Sequence, residues 1–509
     1  MTAPAVSLQA ASRPGGNGST ARELWQLVTA PGSVRFDVPA SPAARRRLRQ
    51  RVRNLPPGAP VVLWCAALGS SRRRSRRFAR DAGIEILREY IAIPSPDSPT
   101  CYVEDSRPAL GYFFTELLTL PKGSAALSAS LQVVKGVART FFPATLVGAV
   151  APIRLVLGRV QASQATGAAY TDIAGPVRQG GLLDVPRMHS LLVALSKDPN
   201  AKVTVLLIPH GSRRPTLAVK LPTTRAAEGT IRAERGVLKE LHQSLPPAIL
   251  ATIPRLTHLK ELAGTTSLVT TALPGSPMTT RYHAWRHLGN PSAVRADFRA
   301  VQSWLAAFQR AAAGARRPID MDGGTAVTLR TRFGAEPGLD RSLAALAVVH
   351  ARLRTTTTAP TAVHGDFWFG NVLMGGEKVS GVIDWEAGAA SGEPVRDLVR
   401  FALTYALYLD RHTRAGKGVS GHRGLRADEW GSGITWVFDG KGWFPDLVRE
   451  FVQGGLARLG ADPELWREAM LAGLAEVAAS ADHLEFARLH WQLFGRLSLQ
   501  ADAVNAGAV

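Results

Sequence analysis

Residues 361–398, TAVHGDFWFGNVLMGGEKVSGVIDWEAGAASGEPVRDL, decide how this chain is read. Two apolar runs, Val372–Met374 and Val379–Ile383, flank Gly375 and Gly376 and predict a hairpin. His364-Gly365-Asp366 precedes the first run, Asn371 follows five residues after the aspartate, and Asp384 directly follows the second run. A hairpin brings its ends together, so Asp366, Asn371 and Asp384 converge on one point. Asp384 and Asn371 offer hard oxygen ligands of the kind Mg²⁺ takes beside water and phosphate. Asp366, not needed as a ligand, can accept the proton of an attacking hydroxyl. Phosphoryl transfer uses such a site, because it depends on positioning and charge neutralisation more than on covalent chemistry by the protein. Any one of these residues alone is ordinary turn polarity. The joint spacing, H-G-D-x-x-x-x-N with the aspartate of I-D-W-E thirteen residues after the asparagine, is specific.

Upstream, Val203–Ile208 and Thr216–Lys220 read as paired strands joined by the turn-forming Pro209–Pro215. A helix is expected over Ala226–Gln243, with Ile231, Glu234, Leu238 and Leu241 on one face. Ser267–Thr271 reads as a further strand, closed by Leu273-Pro274-Gly275. Beyond Gly275 the pattern turns helical, at Pro291–Gln309, Leu339–Leu353 and Pro463–Leu499, with residues 411–430 expected as a surface loop. A small β-rich lobe (183–274) leading into a larger helical lobe (275–509) predicts an active cleft between them.

The N-terminal third is less legible. Residues 1–22 read as a loose tail, 23–160 as a basic α/β domain and 161–182 as a linker. Val61–Trp64 predicts a buried strand, Arg72–Ala82 an arginine-rich helix closed by Gly83, and Ile84–Ile93 the next strand, with a further apolar run over Tyr112–Leu120. This order suggests part of a doubly wound sheet. No G-x-G-x-x-G follows its first strand, so no dinucleotide site is expected there.

Composition sets outer bounds. The chain has 509 residues, 46% apolar and 20% charged, too long for one core and too apolar for wholesale disorder. Cys65 and Cys101 form neither a disulfide framework nor a metal-ligand spacing. The first 24 residues lack the apolar core of a signal peptide. The most apolar stretch, Thr140–Ile153, is interrupted by Pro143 and Pro152 and falls short of the roughly 20 residues a bilayer span needs. A cytoplasmic protein is expected. The net charge of +21 is unevenly spread, with 22 basic and 9 acidic side chains in residues 1–160 against 8 and 12 in 421–509. Two runs dominate, Arg45 to Arg53 and Arg72 to Arg80. They could hold phosphate as nucleic acid or an anionic membrane, but Phe78 is the one aromatic residue within them, which makes no stacking platform, and a solvated helix face is the plainer reading.

The 361–398 stretch resembles the aminoglycoside phosphotransferase and choline kinase-like family of the protein-kinase-like fold, and in architecture the likeness extends over residues 185–500. It implies an α+β, bilobal chain, with a small β-rich N-lobe and a larger helical C-lobe, preceded by a smaller α/β domain. It further implies a kinase that uses ATP and Mg²⁺ to phosphorylate a hydroxyl of a small molecule, aminoglycoside-like, sugar or amino alcohol. Asp366 matches the catalytic base, Asn371 and Asp384 the magnesium ligands, His364 a position that braces the catalytic loop, and Asp397 a structural carboxylate. Lys220 matches the strand lysine that contacts the α- and β-phosphates. Glu234 matches its helical partner, with Glu228 and Glu240 as alternatives. Thr271 to Gly275 matches the hinge, where the backbone at Thr271 and Leu273 would hold the adenine edge.

The chain departs from the pattern in two places. No G-x-G-x-x-G precedes Lys220, which leaves the turn His210–Arg214, with Arg213 and Arg214, as a candidate phosphate contact. The N-terminal third is not a usual part of the family. Gly365 stands where protein kinases carry an arginine that pairs with a loop phosphate, Trp385-Glu386 replaces Phe-Gly, and no A-P-E follows. These substitutions point to a small acceptor rather than a protein. The competing reading is a nucleotide-binding pseudokinase whose N-terminal third engages a partner. The missing glycine loop favours it and the intact Lys, Asp, Asn and Asp set disfavours it.

Overall fold

The computed structural model describes residues 33–65, 72–93, 101–118, 154–161, 187–194, 202–262, 265–284, 286–310, 314–411 and 413–506. The expected tail, nearly all of the expected linker and the Thr140–Ile153 run lie outside these residues.

Ten strands form one sheet: β1 (Val34–Asp37), β2 (Pro60–Trp64), β3 (Ile84–Ile93), β4 (Cys101–Glu104), β5 (Arg154–Val160), β6 (Met188–Ala194), β7 (Lys202–Pro209), β8 (Leu217–Pro222), β9 (Leu256–Leu262) and β10 (Thr265–Thr271). Their order is β1-β2-β5-β3-β4-β6-β7-β8-β10-β9. Only β1 and β2 pair in parallel; every other neighbour is antiparallel. The expectation of a doubly wound sheet is therefore corrected, because β5 inserts between β2 and β3 and reverses the direction on both sides.

The strands of residues 23–160 and of the small lobe belong to the same sheet. β4 pairs with β6 through Tyr102↔Leu192, and one buried cluster runs through Trp64, Tyr90, Tyr102, Leu192, Val205 and Val219. A polar seam reinforces the join. Glu104, 9% exposed, accepts from Arg88 Nη1 at 2.8 Å and Ser190 N at 2.8 Å, and lies 2.6 Å from His189 Nδ1. Helices α1 (Pro42–Arg53) and α2 (Arg72–Asp81) cover one face of the far end, burying Leu48, Val52, Phe78 and Ala79 in a second cluster. Their arginine-rich sides face outward.

From β6 onward the sheet order is 6-7-8-10-9, with helix α3 (Arg225–Ser244) inserted between β8 and β9. This is the small β-rich lobe expected from the sequence. Thr224 caps α3 by accepting from Ala227 N at 3.1 Å, and Ile231, Glu234, Leu238 and Leu241 form its buried stripe. Residues 272–275 leave the sheet, and Ser276–Pro277 pairs with Met374 and Leu373 of the predicted hairpin. Gly275, at φ +113°, is required there, since a Cβ would fall 2.2 Å from Ser380 Oγ and 2.8 Å from Met374 O.

The remaining chain builds the larger lobe. Its main helices are α4 (Pro291–Arg310), α5 (Leu339–Leu353), α6 (Val395–Leu407), α7 (Trp443–Arg458), α8 (Trp466–Ser480) and α9 (Leu484–Ala506). Their facing sides share one large core that also takes in Phe367, Phe369 and Trp385 of the 361–398 stretch. The single helix expected over Pro463–Leu499 is three pieces, a short 3₁₀ turn at Pro463–Leu465, then α8 and α9, with a break at residues 481–483. The 411–430 segment is not simply a surface loop. Val419, Leu425 and Ala427 are buried, and His422 stacks 5.0 Å from Trp443. Its glycines and arginines mark turns, whereas its few apolar side chains are the anchors.

The N-terminal third also reaches across the hinge. Glu116 accepts hydrogen bonds from Ser276 Oγ to its carboxylate and from Thr280 Oγ1 to its backbone carbonyl, the latter at 2.8 Å. Among the described residues, no helix is long and apolar enough to cross a membrane.

Candidate active site

The predicted hairpin forms from Val372–Gly375 and Lys378–Val382, with Val372 opposite Val382 and Gly376 at φ +66° in the turn. Its closed register carries Asn371 and Ile383 side by side, and Ile383 N donates to Asn371 O at 3.0 Å. Asp384 thus follows directly beside Asn371. Among the described residues, Asp384 is one of three non-glycine residues with positive φ, at +71°. That conformation costs about 1 kcal/mol or more for a residue with a Cβ; here it turns the carboxylate out of the strand direction toward β7 and β8.

Lys220 on β8 meets it. Its ammonium donates to Glu234 Oε1 at 2.6 Å and Oε2 at 2.7 Å, and to Asp384 Oδ1 at 2.8 Å. Glu234 also accepts from Trp385 N at 3.3 Å, so α3, β8 and the segment after the hairpin are tied at one point. Glu234 is 1% exposed, and neither Glu228 nor Glu240 is buried. Burial alone would raise the Asp384 carboxyl and lower the Lys220 ammonium. Their mutual attraction, with Lys202 acting on Asp384 and Glu234 on Lys220, reverses both, and each is held firmly charged.

On the other side of the hairpin, Asp366 Oδ1 accepts from Arg400 Nη2 at 2.6 Å and Nε at 3.0 Å. Asn371 Nδ2 donates to Asp366 O at 3.0 Å, which leaves the asparagine Oδ1 as its free ligand atom. His364 is fully buried. Its Nδ1 accepts from Asp366 N at 3.3 Å, so Nε2 carries the proton and donates to Ile383 O at 2.9 Å. Both ring nitrogens are engaged with main chain, and His364 therefore positions the loop rather than exchanging protons with a substrate.

Asp397, at the start of α6, accepts from His364 N at 2.7 Å and Gly365 N at 2.9 Å. Gly365 has φ +78°, and a Cβ there would lie 2.1 Å from Ala387 O. The glycine is thus a steric need of the loop as well as the absence of an arginine.

At the hinge, Thr271 N donates to Arg255 O at 2.9 Å and Thr271 Oγ1 accepts from Arg255 N at 2.9 Å, which locks Thr271 into the sheet. Leu273 makes no backbone hydrogen bond among the described residues. The turn at His210–Arg214 lies elsewhere. Leu207 pairs with Leu217 at the turn end of the β7–β8 hairpin, whereas Lys202 pairs with Pro222 at the end beside Asp384. Arg213 and Arg214 therefore sit away from the cleft, and that candidate phosphate contact is withdrawn.

Three residues of the cluster were not anticipated. Lys202 Nζ lies 3.1 Å from Asp384 Oδ1 and forms an ion pair with Glu386. Glu234, Asp384 and Glu386 carry carboxylate oxygens all within 4.8 Å of one another. Arg400 is the third. Hard oxygens from Asp384, Glu386 and Asn371 suit a divalent cation of the magnesium type, and the two lysine ammonium groups show that this cluster calls for positive charge.

Residues 203–430, which contain the residues from Lys202's strand neighbour Val203 through Asp397, match the family model described as "Phosphotransferase enzyme family". No curated protein matches the chain. Among solved structures, the apo form of a thermostable mutant of aminoglycoside phosphotransferase APH(4)-Ia is similar at 12% identity, over 61% of this chain and 94% of that one, with a TM-score of 0.40. ADP-bound aminoglycoside phosphotransferase APH(2'')-Ib gives 14% identity, 60% and 93% coverage and 0.35. Macrolide 2'-phosphotransferase MphH from Brachybacterium faecium gives 15%, 59% and 89%, and 0.34.

Proposed function

We propose that this chain is an ATP-dependent phosphotransferase that moves the γ-phosphate to a hydroxyl of a small molecule. One observation carries the reading: Lys220, Glu234 and Asp384 close on one another across the cleft while Asp366 and Asn371 stand beside Asp384 at the open end of the same hairpin. A scaffold has no use for a proton acceptor held at that place.

In this reading the free N–H and C=O of Leu273 take the adenine edge, and Thr271 supports them from within the sheet. Lys220, fixed by Glu234, contacts the α- and β-phosphates. Asp384 and Asn371 hold Mg²⁺, which when bound neutralises charge that shifts toward the leaving phosphate. Arg400 grips Asp366 Oδ1, and Oδ2, which accepts from Asn371 Nδ2 at 3.4 Å, is the oxygen that takes the acceptor's proton. As the acceptor oxygen bonds to the γ-phosphorus, its proton passes to Asp366, the bond to the β–γ bridging oxygen breaks, and ADP departs with that electron pair. His364 and Asp397 keep the loop in place. Gly365 provides no cation for a phosphorylated activation loop, which favours a small acceptor over a protein.

The test is an ATP-consumption screen across aminoglycosides, macrolides, sugars and amino alcohols, with Asp366→Ala as the blank. Asp366→Ala should abolish transfer while nucleotide still binds, and Asp384→Ala should also weaken Mg²⁺–ATP binding. Transfer by the Asp366 variant at the parent rate would refute the assignment. Binding without metal-dependent turnover on any acceptor would favour the pseudokinase.

A further inference from the structure

Lys202 begins β7 and has no part in the chemistry set out above. Its placement follows from register: Thr204 pairs with Lys220 and Lys202 with Pro222. Side chains alternate along a strand, so Lys202, Thr204 and Lys220 project from the same face of the sheet, the one turned to the cleft. Both ammonium groups reach the same oxygen, Asp384 Oδ1, at 3.1 Å from Lys202 and 2.8 Å from Lys220. Lys202 is also paired with Glu386, and its side chain is only 12% exposed.

The two lysines are not held equally. Lys220 lies between both oxygens of Glu234 and Asp384. Lys202 meets Asp384 at the longer distance of 3.1 Å and takes its second contact from Glu386. Both ammonium groups crowd one carboxylate oxygen. A divalent cation on Asp384 would make this worse. Two unit charges 4 Å apart repel by about 4 kcal/mol at an effective dielectric of 20, and a divalent ion doubles that. One lysine must then leave, and Lys202 is the more weakly retained. Among ligands the cleft would take, the nearest available anion is the triphosphate.

We propose that Lys202 is a second triphosphate-binding lysine. Without nucleotide it rests on Asp384 and Glu386; with Mg²⁺–nucleotide bound it passes to the β- and γ-phosphates. This rests on the reading of the cleft as a Mg²⁺–ATP site, and the test separates the two claims.

The probes are AMP-PNP with Mg²⁺, and AMP, titrated calorimetrically into wild-type protein and Lys202→Met, which keeps the aliphatic stem. In Lys202→Met the affinity for Mg²⁺–AMP-PNP should fall 10- to 100-fold while that for AMP changes less than 3-fold. An equal loss for both nucleotides would make Lys202 a structural residue and overturn the proposal. Unchanged or tighter AMP-PNP binding would mean that it only competes with the metal, and would overturn it as well. Failure of wild-type protein to bind AMP-PNP would remove the ATP reading itself. A second measurement needs no variant: amine acetylation of wild-type Lys202, read by peptide mass spectrometry. Mg²⁺–AMP-PNP should shield Lys202 where AMP does not. A lysine merely released from Asp384 would instead become more reactive, which would refute the proposal.

Discussion

Removing the Asp397 carboxylate should loosen the catalytic loop before it touches anything else. The side chain is fully buried at the start of α6, and its two oxygens accept from the backbone N–H groups of His364 at 2.7 Å and Gly365 at 2.9 Å. A hydrogen bond to a charged group contributes about 1.5–3 kcal/mol, and a buried donor left without a partner costs a similar amount. Asp397→Ala orphans both donors at once, so the expected loss is about 3–6 kcal/mol. Set against a typical folding stability of about 5–15 kcal/mol, that is a large fraction. Asp397→Asn should lie between. Burial pushes the Asp397 carboxyl above its usual range, so a neutral amide recovers some desolvation cost. It keeps one acceptor oxygen but sets an NH₂ against the second donor, for a loss of about 1–3 kcal/mol. A chain with two lobes need not unfold in one step, so the assay is local: amide hydrogen exchange on peptides covering 361–369, with melting temperature alongside. Protection at His364 and Gly365 should fall in the order wild type, Asn, Ala, with turnover falling in the same order. Unchanged exchange at those two amides in Asp397→Ala would refute the account of how the loop is held.

Two other outcomes follow from burial and pairing. Buried His422 and His490 sit at about 4 and about 3 against an ordinary 6.5, in both cases through desolvation. The unfolded chain therefore takes up protons below pH 6.5 while the fold does not, and stability should fall from pH 6.5 toward 4 by about 1.4 kcal/mol per pH unit per histidine. Thermal melts between pH 7 and 4 should show it, His490→Phe should flatten the slope, and a pH-independent melting temperature would contradict it. Deleting residues 1–160 should not leave a stable two-lobe remainder, because it strips β4 from β6 and exposes Leu192, Val205 and the His189–Ser190 side of the Glu104 seam. The truncated chain should be insoluble or melt at least 10 °C lower, and an unchanged melting temperature would refute the shared core.

How far the fold could be read depended on how local each signal was. The hairpin and its flanking polar residues lie within 38 consecutive positions, and the turn at Gly375-Gly376 fixes their register. Helix α3 announces itself by the 3.6-residue recurrence of Ile231, Glu234, Leu238 and Leu241. The ten-stranded sheet offered no such cue. Its order places β5 between β2 and β3, and β6 beside β4, pairings of residues about 90 positions apart such as Tyr102 and Leu192. Away from the Glu104, His189 and Ser190 seam, the strands at that join are apolar on both faces because both faces are covered, which erases the alternation that would have marked them as half-buried. Short β1 and β4, four residues each, are below what composition alone can separate from loop.

The same distinction explains which site residues were found. Asp366, Asn371 and Asp384 form a spacing, and a spacing is visible in one dimension. Lys202, Glu386 and Arg400 act through relations that exist only after pairing or packing. Lys202 is cleft-facing because Thr204 opposes Lys220, and a shift of one residue in that register would turn it to the other face. Glu386 matters because its carboxylate lies within 4.8 Å of those of Glu234 and Asp384, the first of them from a helix 152 residues earlier. Arg400 could have been reached by arithmetic. It lies three residues after Asp397 on α6, hence on nearly the same helix face. Once Asp397 is taken to hold the backbone of His364 and Gly365, that face must look at the catalytic loop, and the next long cation along it must reach Asp366. The structure gives that contact as two hydrogen bonds to a single oxygen.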